Sequence, residues 1–262
     1  MHSPSQPHDY VLLPDERMDE INADLRLIQK KNGLTFGTDA YLLAAFVRPM
    51  PRARAVDLGS GTGILPLLLA AHKKVMHTVA VEIQPSFAEL IAKNAALNHY
   101  TAQITPMCID LRELTAAHVG GEVDLVLANP PYMRCDSGKR NLYDEKYIAR
   151  HEVCGDIGDF CSAAGRILKY GGRFVSVWRP DRLSELYAAL RAANLEPKRT
   201  VFVHADAESE PCAVLTEAVK GAAPSQRISP PLILYCRREE GEQTRRLTPA
   251  AQAIYDTGHF DT

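Results

Sequence analysis

The sequence lacks the marks of several protein classes. It has no C-x-x-C pair, and its six cysteines (Cys108, Cys135, Cys154, Cys161, Cys212 and Cys236) follow no metal-ligand spacing. That pattern argues against both a structural metal site and a disulfide scaffold, and a reducing compartment fits it. No apolar run approaches the ~20 residues of a membrane span. The first 20 residues are polar and acidic and contain no signal-peptide apolar core. Internal repeats and low-complexity tracts are missing too. The expectation is a cytoplasmic chain with no membrane contact, no bound metal and no obligate protein partner.

Net charge is only -2, so the chain as a whole is no polycation. Its distribution is uneven, however. Residues 129–200 carry 13 Lys+Arg against 9 Asp+Glu, whereas residues 1–128 carry 11 against 14 and residues 201–262 carry 6 against 9. The basic excess begins at residue 129, where a polyanionic substrate would want it.

The 262 residues suffice for one large α/β domain with a full core. Residues 1–20 read as a flexible N-terminal extension, and 21–262 as a single domain. Leu25 to Gln29 and Leu34 to Phe36, joined by Lys30-Lys31-Asn32-Gly33, read as a small hairpin. A helix follows to about Val47, with Thr38 or Asp39 as its cap. Strands and helices then alternate over 54–58, 63–72, 76–82, 86–98, 103–108, 112–118 and 123–128. Such alternation predicts a mostly parallel sheet covered on both faces. Further on, 156–168 and 182–193 read as helices and 173–178 as a strand. Residues 198–203 and 213–219 read as a late hairpin, and 232–236 as one more strand.

Four features carry chemistry, each at the C-terminal end of a predicted strand. Asp57-Leu58-Gly59-Ser60-Gly61-Thr62-Gly63 is a glycine loop between a strand and an apolar helix. Such a turn lets a ligand approach the backbone at a helix N-terminus. Its G-x-G-x-G spacing is not the dinucleotide fingerprint, which excludes the usual dehydrogenase reading. Glu82 follows the second strand, where an acid can accept both hydroxyls of a ribose. Asp110 follows the third, within reach of an adenine amine. Asn129-Pro130-Pro131-Tyr132 closes the fourth. Proline fixes φ there and extends the residue before it, so the Asn129 side chain and the Pro130 carbonyl become two fixed acceptors beside the Tyr132 ring. The set suits a planar group bearing an NH2. Taken singly, a tight turn, helix caps and a Pro-Pro turn account for each feature; their order is far more specific.

In that order the chain resembles the class I S-adenosylmethionine-dependent methyltransferases of the amino-methylating branch. Further stretches narrow the resemblance: 27–33, 36–40, 57–69, Ile148-Ala149-Arg150-His151-Glu152, 178–183 and Pro230-Pro231-Leu232. These are similar to the bacterial tRNA1(Val) adenine-N6 methyltransferases over roughly 22–262. The resemblance implies a doubly wound, Rossmann-like, mostly parallel seven-stranded sheet with a reversed terminal hairpin. It implies S-adenosyl-L-methionine as cofactor and a tRNA as substrate. Phe36, Thr38, Asp57, Gly59, Gly61, Gly63, Glu82, Asp110 and Asn129 would hold the cofactor, and Asn129, Pro130, Pro131 and Tyr132 would form the catalytic cup. Lys30, Lys31, Lys139, Arg140, Lys146 and Arg150 are candidate RNA contacts, with solvated surface charge as the alternative. Arg179 and Arg182 could be helix anchors or RNA contacts.

Two rivals share the Asn-Pro-Pro-Tyr cup. A protein-glutamine methyltransferase would carry a separate helical domain of some 70 residues before the glycine loop, and a hairpin and one helix stand there instead. Ribosomal-RNA or DNA adenine methylases are the other rival, and the DNA enzymes usually add a recognition domain.

Overall fold

The computed structural model describes residues 12–31, 37–130, 155–237 and 245–260. Two short strands come first, β1 (Glu16–Glu20) and β2 (Arg26–Lys30), then helix α1 (Thr38–Phe46). The alternating unit follows: β3 (Met50–Leu58), α2 (Ile64–Ala71), β4 (Val75–Glu82), α3 (Pro85–Leu97), β5 (Ile104–Cys108) and β6 (Val123–Ala128). Beyond it lie α4 (Ile157–Ile167), β7 (Leu168–Trp178), a 3-10 turn (Pro180–Arg182), α5 (Leu183–Ala192), β8 (Leu195–His204) and β9 (Pro211–Lys220). Two-residue strands β10 (Arg227–Ile228) and β11 (Leu232–Ile233) and helix α6 (Pro249–Thr257) close the described chain.

The main sheet runs β10-β8-β9-β7-β6-β3-β4-β5, with β11 also on β8. The expected seven long strands are present, and β10 and β11 add two short ones at the β8 edge. Every pairing is parallel except those of β9, which runs against both β7 and β8. This is the reversed terminal hairpin, longer at both ends than the sequence suggests.

Alternation along the central strands explains why their sequences read as continuous apolar runs. Leu125 and Leu127 point into one core with residues of α1, α2 and α6. Val126 and Ala128 point into the other, with residues of α4 and α5. A parallel sheet covered on both faces has no polar side to show.

Several expectations need correction. Glu16–Glu20, expected to lie in a flexible extension, is instead a strand that pairs antiparallel with β2. Of the expected hairpin, residues 32–36 lie outside the described residues; β2 forms a hairpin with β1. Its turn is made by Asn22, whose Oδ1 accepts the Asp24 and Leu25 amides, each at 2.9 Å. The helix expected over 112–118 is a series of turns. There the Arg166 guanidinium takes the Leu111, Arg112 and Leu114 carbonyls at 2.8–3.1 Å, binding three acceptors in an irregular run. The cap of α1 is Gly37, extended and without a side-chain bond, not Thr38 or Asp39.

The far end of α1 holds an arrangement that the sequence did not announce. Lys74, just before β4, is fully buried. Its Nζ donates to the carbonyls of Ala44, Ala45 and Val47 at 2.7–2.8 Å. These are carbonyls that the end of a helix leaves without amide partners. Burial, then the nearby Arg199, pushes the Lys74 pKa down to about 7. Against that, three acceptors need three N–H groups, which only the ammonium offers.

Candidate active site

Parallel strands in close register bring the predicted chemistry to one edge. Leu58 stands beside both Val81 and Ala128, and Val81 stands beside Met107. The segments that follow β3, β4, β5 and β6 therefore emerge side by side. They carry Gly59–Gly63, Glu82, Asp110 and Asn129-Pro130, in the arrangement expected of a crevice at strand ends. Asn129 is half-buried and Pro130 buried. Pro131, Tyr132, Phe36, Lys139, Arg140, Lys146 and Arg150 lie outside the described residues.

The glycine loop is fixed at every turn. Gly59, Gly61 and Gly63 have φ of +70°, +54° and +82°, a region that side chains other than glycine's rarely enter. The Ser60 amide donates to the Val81 carbonyl at 2.9 Å, and the Gly63 amide to the Ser60 carbonyl at 2.9 Å. A Cβ on Gly59 would sit 3.3 Å from the buried Phe160 ring of α4, whereas a Cβ on Gly61 would meet open space. Open space at the head of α2 is where a ligand can lie against backbone.

Two carboxylates flank that space. Glu82 Oε2 accepts the Gly61 amide at 2.9 Å and its Oε1 accepts the Gln84 amide at 3.0 Å. Asp57 is almost wholly buried. Its Oδ2 accepts the Ser60 hydroxyl at 2.6 Å, and its Oδ1 is buried with no hydrogen-bond partner among the described residues. Burial pushes the Asp57 pKa up to about 7; the Ser60 bond opposes the shift and the Glu82 charge adds to it. An acceptor-rich site with one unmet buried oxygen suits a ligand that brings hydroxyls and an amine. S-adenosylmethionine carries both on its ribose and methionine parts, so these residues fit it.

The remaining candidates divide. Asp110 is joined to Arg112 by a bidentate ion pair and accepts the Arg112 amide at 2.9 Å, which holds its carboxyl below the ordinary range. Thr38, the first residue of α1, hydrogen-bonds the Tyr255 side chain of α6. Lys30 pairs with Asp15 at 2.9 Å, and Lys31 Nζ donates to the Pro14 carbonyl at 2.9 Å. Arg179 pairs with Asp181, and Arg182 with Glu185 while lying 5.2 Å over the Trp178 ring. Trp178 in turn donates to the Arg182 carbonyl at 3.2 Å. The four basic side chains therefore all have partners within the fold, and Arg179 and Arg182 brace the turn after β7.

Phe160 and Asn94 lie against the glycine loop and were not read from the sequence. Asn94 of α3 is buried, and its Nδ2 donates to the Thr62 carbonyl at 2.9 Å.

The sheet order, the reversed hairpin and the crevice at the strand ends define a class I S-adenosylmethionine-dependent methyltransferase. The family model of the methyltransferase small domain matches residues 31–185, more than half of the chain. The chain belongs to that family. It is 27% identical over 177 residues to a tRNA1(Val) (adenine(37)-N6)-methyltransferase of Bacteroides fragilis, covering 66% of this chain and 72% of the relative. The enzyme of the same name from Porphyromonas gingivalis is 27% identical over 187 residues, 69% of this chain and 72% of that one. Among solved structures, a predicted O-methyltransferase from Agrobacterium tumefaciens superposes with a TM-score of 0.65 at 22% identity, over 85% of this chain and 97% of its own. At that identity the likeness speaks for the fold.

Among the described residues, no helix is long and apolar enough to cross a membrane.

Proposed function

We propose that this methyltransferase methylates the exocyclic N6 amine of an adenine in tRNA, at position 37 of a valine tRNA. The observation that carries the reading is the adjacency of Leu58 and Ala128. It sets the glycine loop and Asn129-Pro130 next to each other at the ends of neighbouring strands. The activity named for the relatives from Bacteroides fragilis and Porphyromonas gingivalis supports the same substrate, as does the basic excess over residues 129–200.

Glu82 would accept the ribose hydroxyls with the lone pairs its two amide bonds leave open, and Asp57 Oδ1 would accept from the amine end. Asp110 would turn to the adenine amine, in competition with Arg112. When bound, S-adenosylmethionine supplies a sulfonium methyl already activated for transfer. The target amine is a poor nucleophile because its lone pair is delocalised into the ring. The Asn129 side chain and the Pro130 carbonyl would accept its two hydrogens and favour a pyramidal nitrogen with the lone pair turned toward the methyl. Most of the rate would come from this alignment and electrostatic placement. Neither acceptor is basic enough to keep the surplus proton, which passes to solvent. Tyr132 would stack on the base, an interaction worth about 1–3 kcal/mol. An anticodon-loop adenine is already partly unstacked, so presenting it costs little.

The test is methyl transfer from labelled S-adenosylmethionine to tRNA lacking the modification, followed by nucleoside analysis. The expected product is N6-methyladenosine in valine tRNA, with the rate falling about 100- to 1000-fold in Asn129→Ala. A chain that binds the cofactor and leaves tRNA unlabelled overturns the substrate assignment and keeps the enzyme class.

A further inference from the structure

Helix α3 and its C-cap carry two asparagines one turn apart, Asn94 and Asn98, and each grips β2 as a neighbouring strand would. Asn94 Oδ1 accepts the Ile28 amide at 2.7 Å and its Nδ2 donates to the Ile28 carbonyl at 3.0 Å. Four residues on, Asn98 Oδ1 accepts the Arg26 amide at 2.9 Å and its Nδ2 donates to the Arg26 carbonyl at 2.8 Å. The i, i+4 spacing stacks the two carboxamides on one helix face, matching alternate residues of the strand. Asn98 also donates to the Asn94 carbonyl at 2.8 Å, along its own helix.

The two asparagines differ in one respect. Asn94 Nδ2 also donates to the Thr62 carbonyl at 2.9 Å, in the middle of the glycine loop. Thr62 sits between Gly61, whose amide goes to Glu82, and Gly63, whose amide goes to Ser60. The Thr62 carbonyl therefore gives the loop a hydrogen bond to α3, beside the packing of Gly63 on Ile91, and it shares one amide group with the N-terminal hairpin. The side chain is buried, so water cannot replace a lost partner.

From this geometry we infer that Asn94 is a positioning residue for cofactor binding: it holds the Thr62 carbonyl and thereby ties the glycine loop to the docked β1–β2 hairpin. The inference rests on the reading of residues 59–63 as the cofactor loop. Asn94 touches no reacting atom and acts through the loop backbone. The Asn94 bonds and cofactor affinity are then linked, and each must strengthen the other.

Asn98 supplies the internal control, because it grips the same strand and leaves the loop alone. The experiment measures S-adenosylmethionine binding by calorimetry and thermal unfolding for wild type, Asn94→Ala and Asn98→Ala. Both variants lose stability. Asn94→Ala binds the cofactor about tenfold more weakly, Asn98→Ala within about twofold of wild type. In steady-state assays the Asn94→Ala KM for the cofactor rises while kcat at saturation holds. Asn94→Asp keeps the acceptor for Ile28 but sets an anionic oxygen against two carbonyls. Its deficit relative to wild type shrinks as pH falls and the acid regains a proton to donate.

Equal affinities in Asn94→Ala and Asn98→Ala overturn the positioning role. If Asn94→Ala does not fold, wild-type amide exchange decides. Cofactor binding must slow exchange at Ile28 more than at Arg26, and an unchanged Ile28 overturns the inference. A wild-type chain that binds no S-adenosylmethionine fails at the earlier step and removes the cofactor reading itself.

Discussion

Glu82 holds the Gly61 amide at 2.9 Å across the gap between two strand ends. The acid proposed to receive a ribose is thus also the brace of the loop proposed to lie beneath the cofactor. One substitution removes both roles. Glu82→Ala is expected to weaken S-adenosylmethionine binding about 10- to 100-fold, the range for hydrogen bonds to a charged group. Glu82→Gln keeps one acceptor and should fall between the two. Calorimetric titration checks this, and an alanine variant that binds like wild type rejects both roles.

Asp57 gives a pH signature. Its pKa stands at about 7 in the folded chain against an ordinary 3.8. Between those values the folded state keeps a proton that the unfolded state releases. The stabilisation is full below about pH 4 and is lost as pH rises toward 7. Asp57→Asn keeps an acceptor for the Ser60 hydroxyl and removes the titration. Its urea midpoint should gain on that of wild type between pH 4 and pH 8. Parallel pH profiles for the two proteins would reject this account of the buried carboxyl.

Lys74 closes the end of α1 with three hydrogen bonds to carbonyls. Lys74→Met keeps most of the volume and strands the acceptors in a buried place, at a cost on the order of 3 kcal/mol. Chemical denaturation reads the loss. A methionine variant within 1 kcal/mol of wild type (about fivefold in the folding constant) would mean that the carbonyls find other donors.

The parallel core and the gathering of the candidate residues at its strand ends were legible because both follow from local patterns. Apolar runs such as Val123–Ala128 name a strand, and the residue that ends the run names the site. What escaped depends on partners distant in sequence. The expected helix at 112–118 is undone by Arg166 some fifty residues on. The pairing of β2 with β1 was hidden because Glu16–Glu20, charged at four of five positions, has no strand-like alternation. Lys74 reads as any surface lysine until α1 is set against it. Asn94 and Asn98 did leave a trace, two amides at i, i+4 on a helix, but nothing local says that a strand lies across them.

Those two carboxamides have a consequence for the solution behaviour of the chain. A two-stranded ribbon offers open backbone on its outer side, and such an edge invites a second chain to pair with it. At Ile28 and Arg26 the outward amides and carbonyls are already taken by Asn94 and Asn98. The helix thus shields a sticky margin that backbone pairing within the domain leaves uncovered, and it helps keep the N-terminal ribbon from recruiting its counterpart in another molecule.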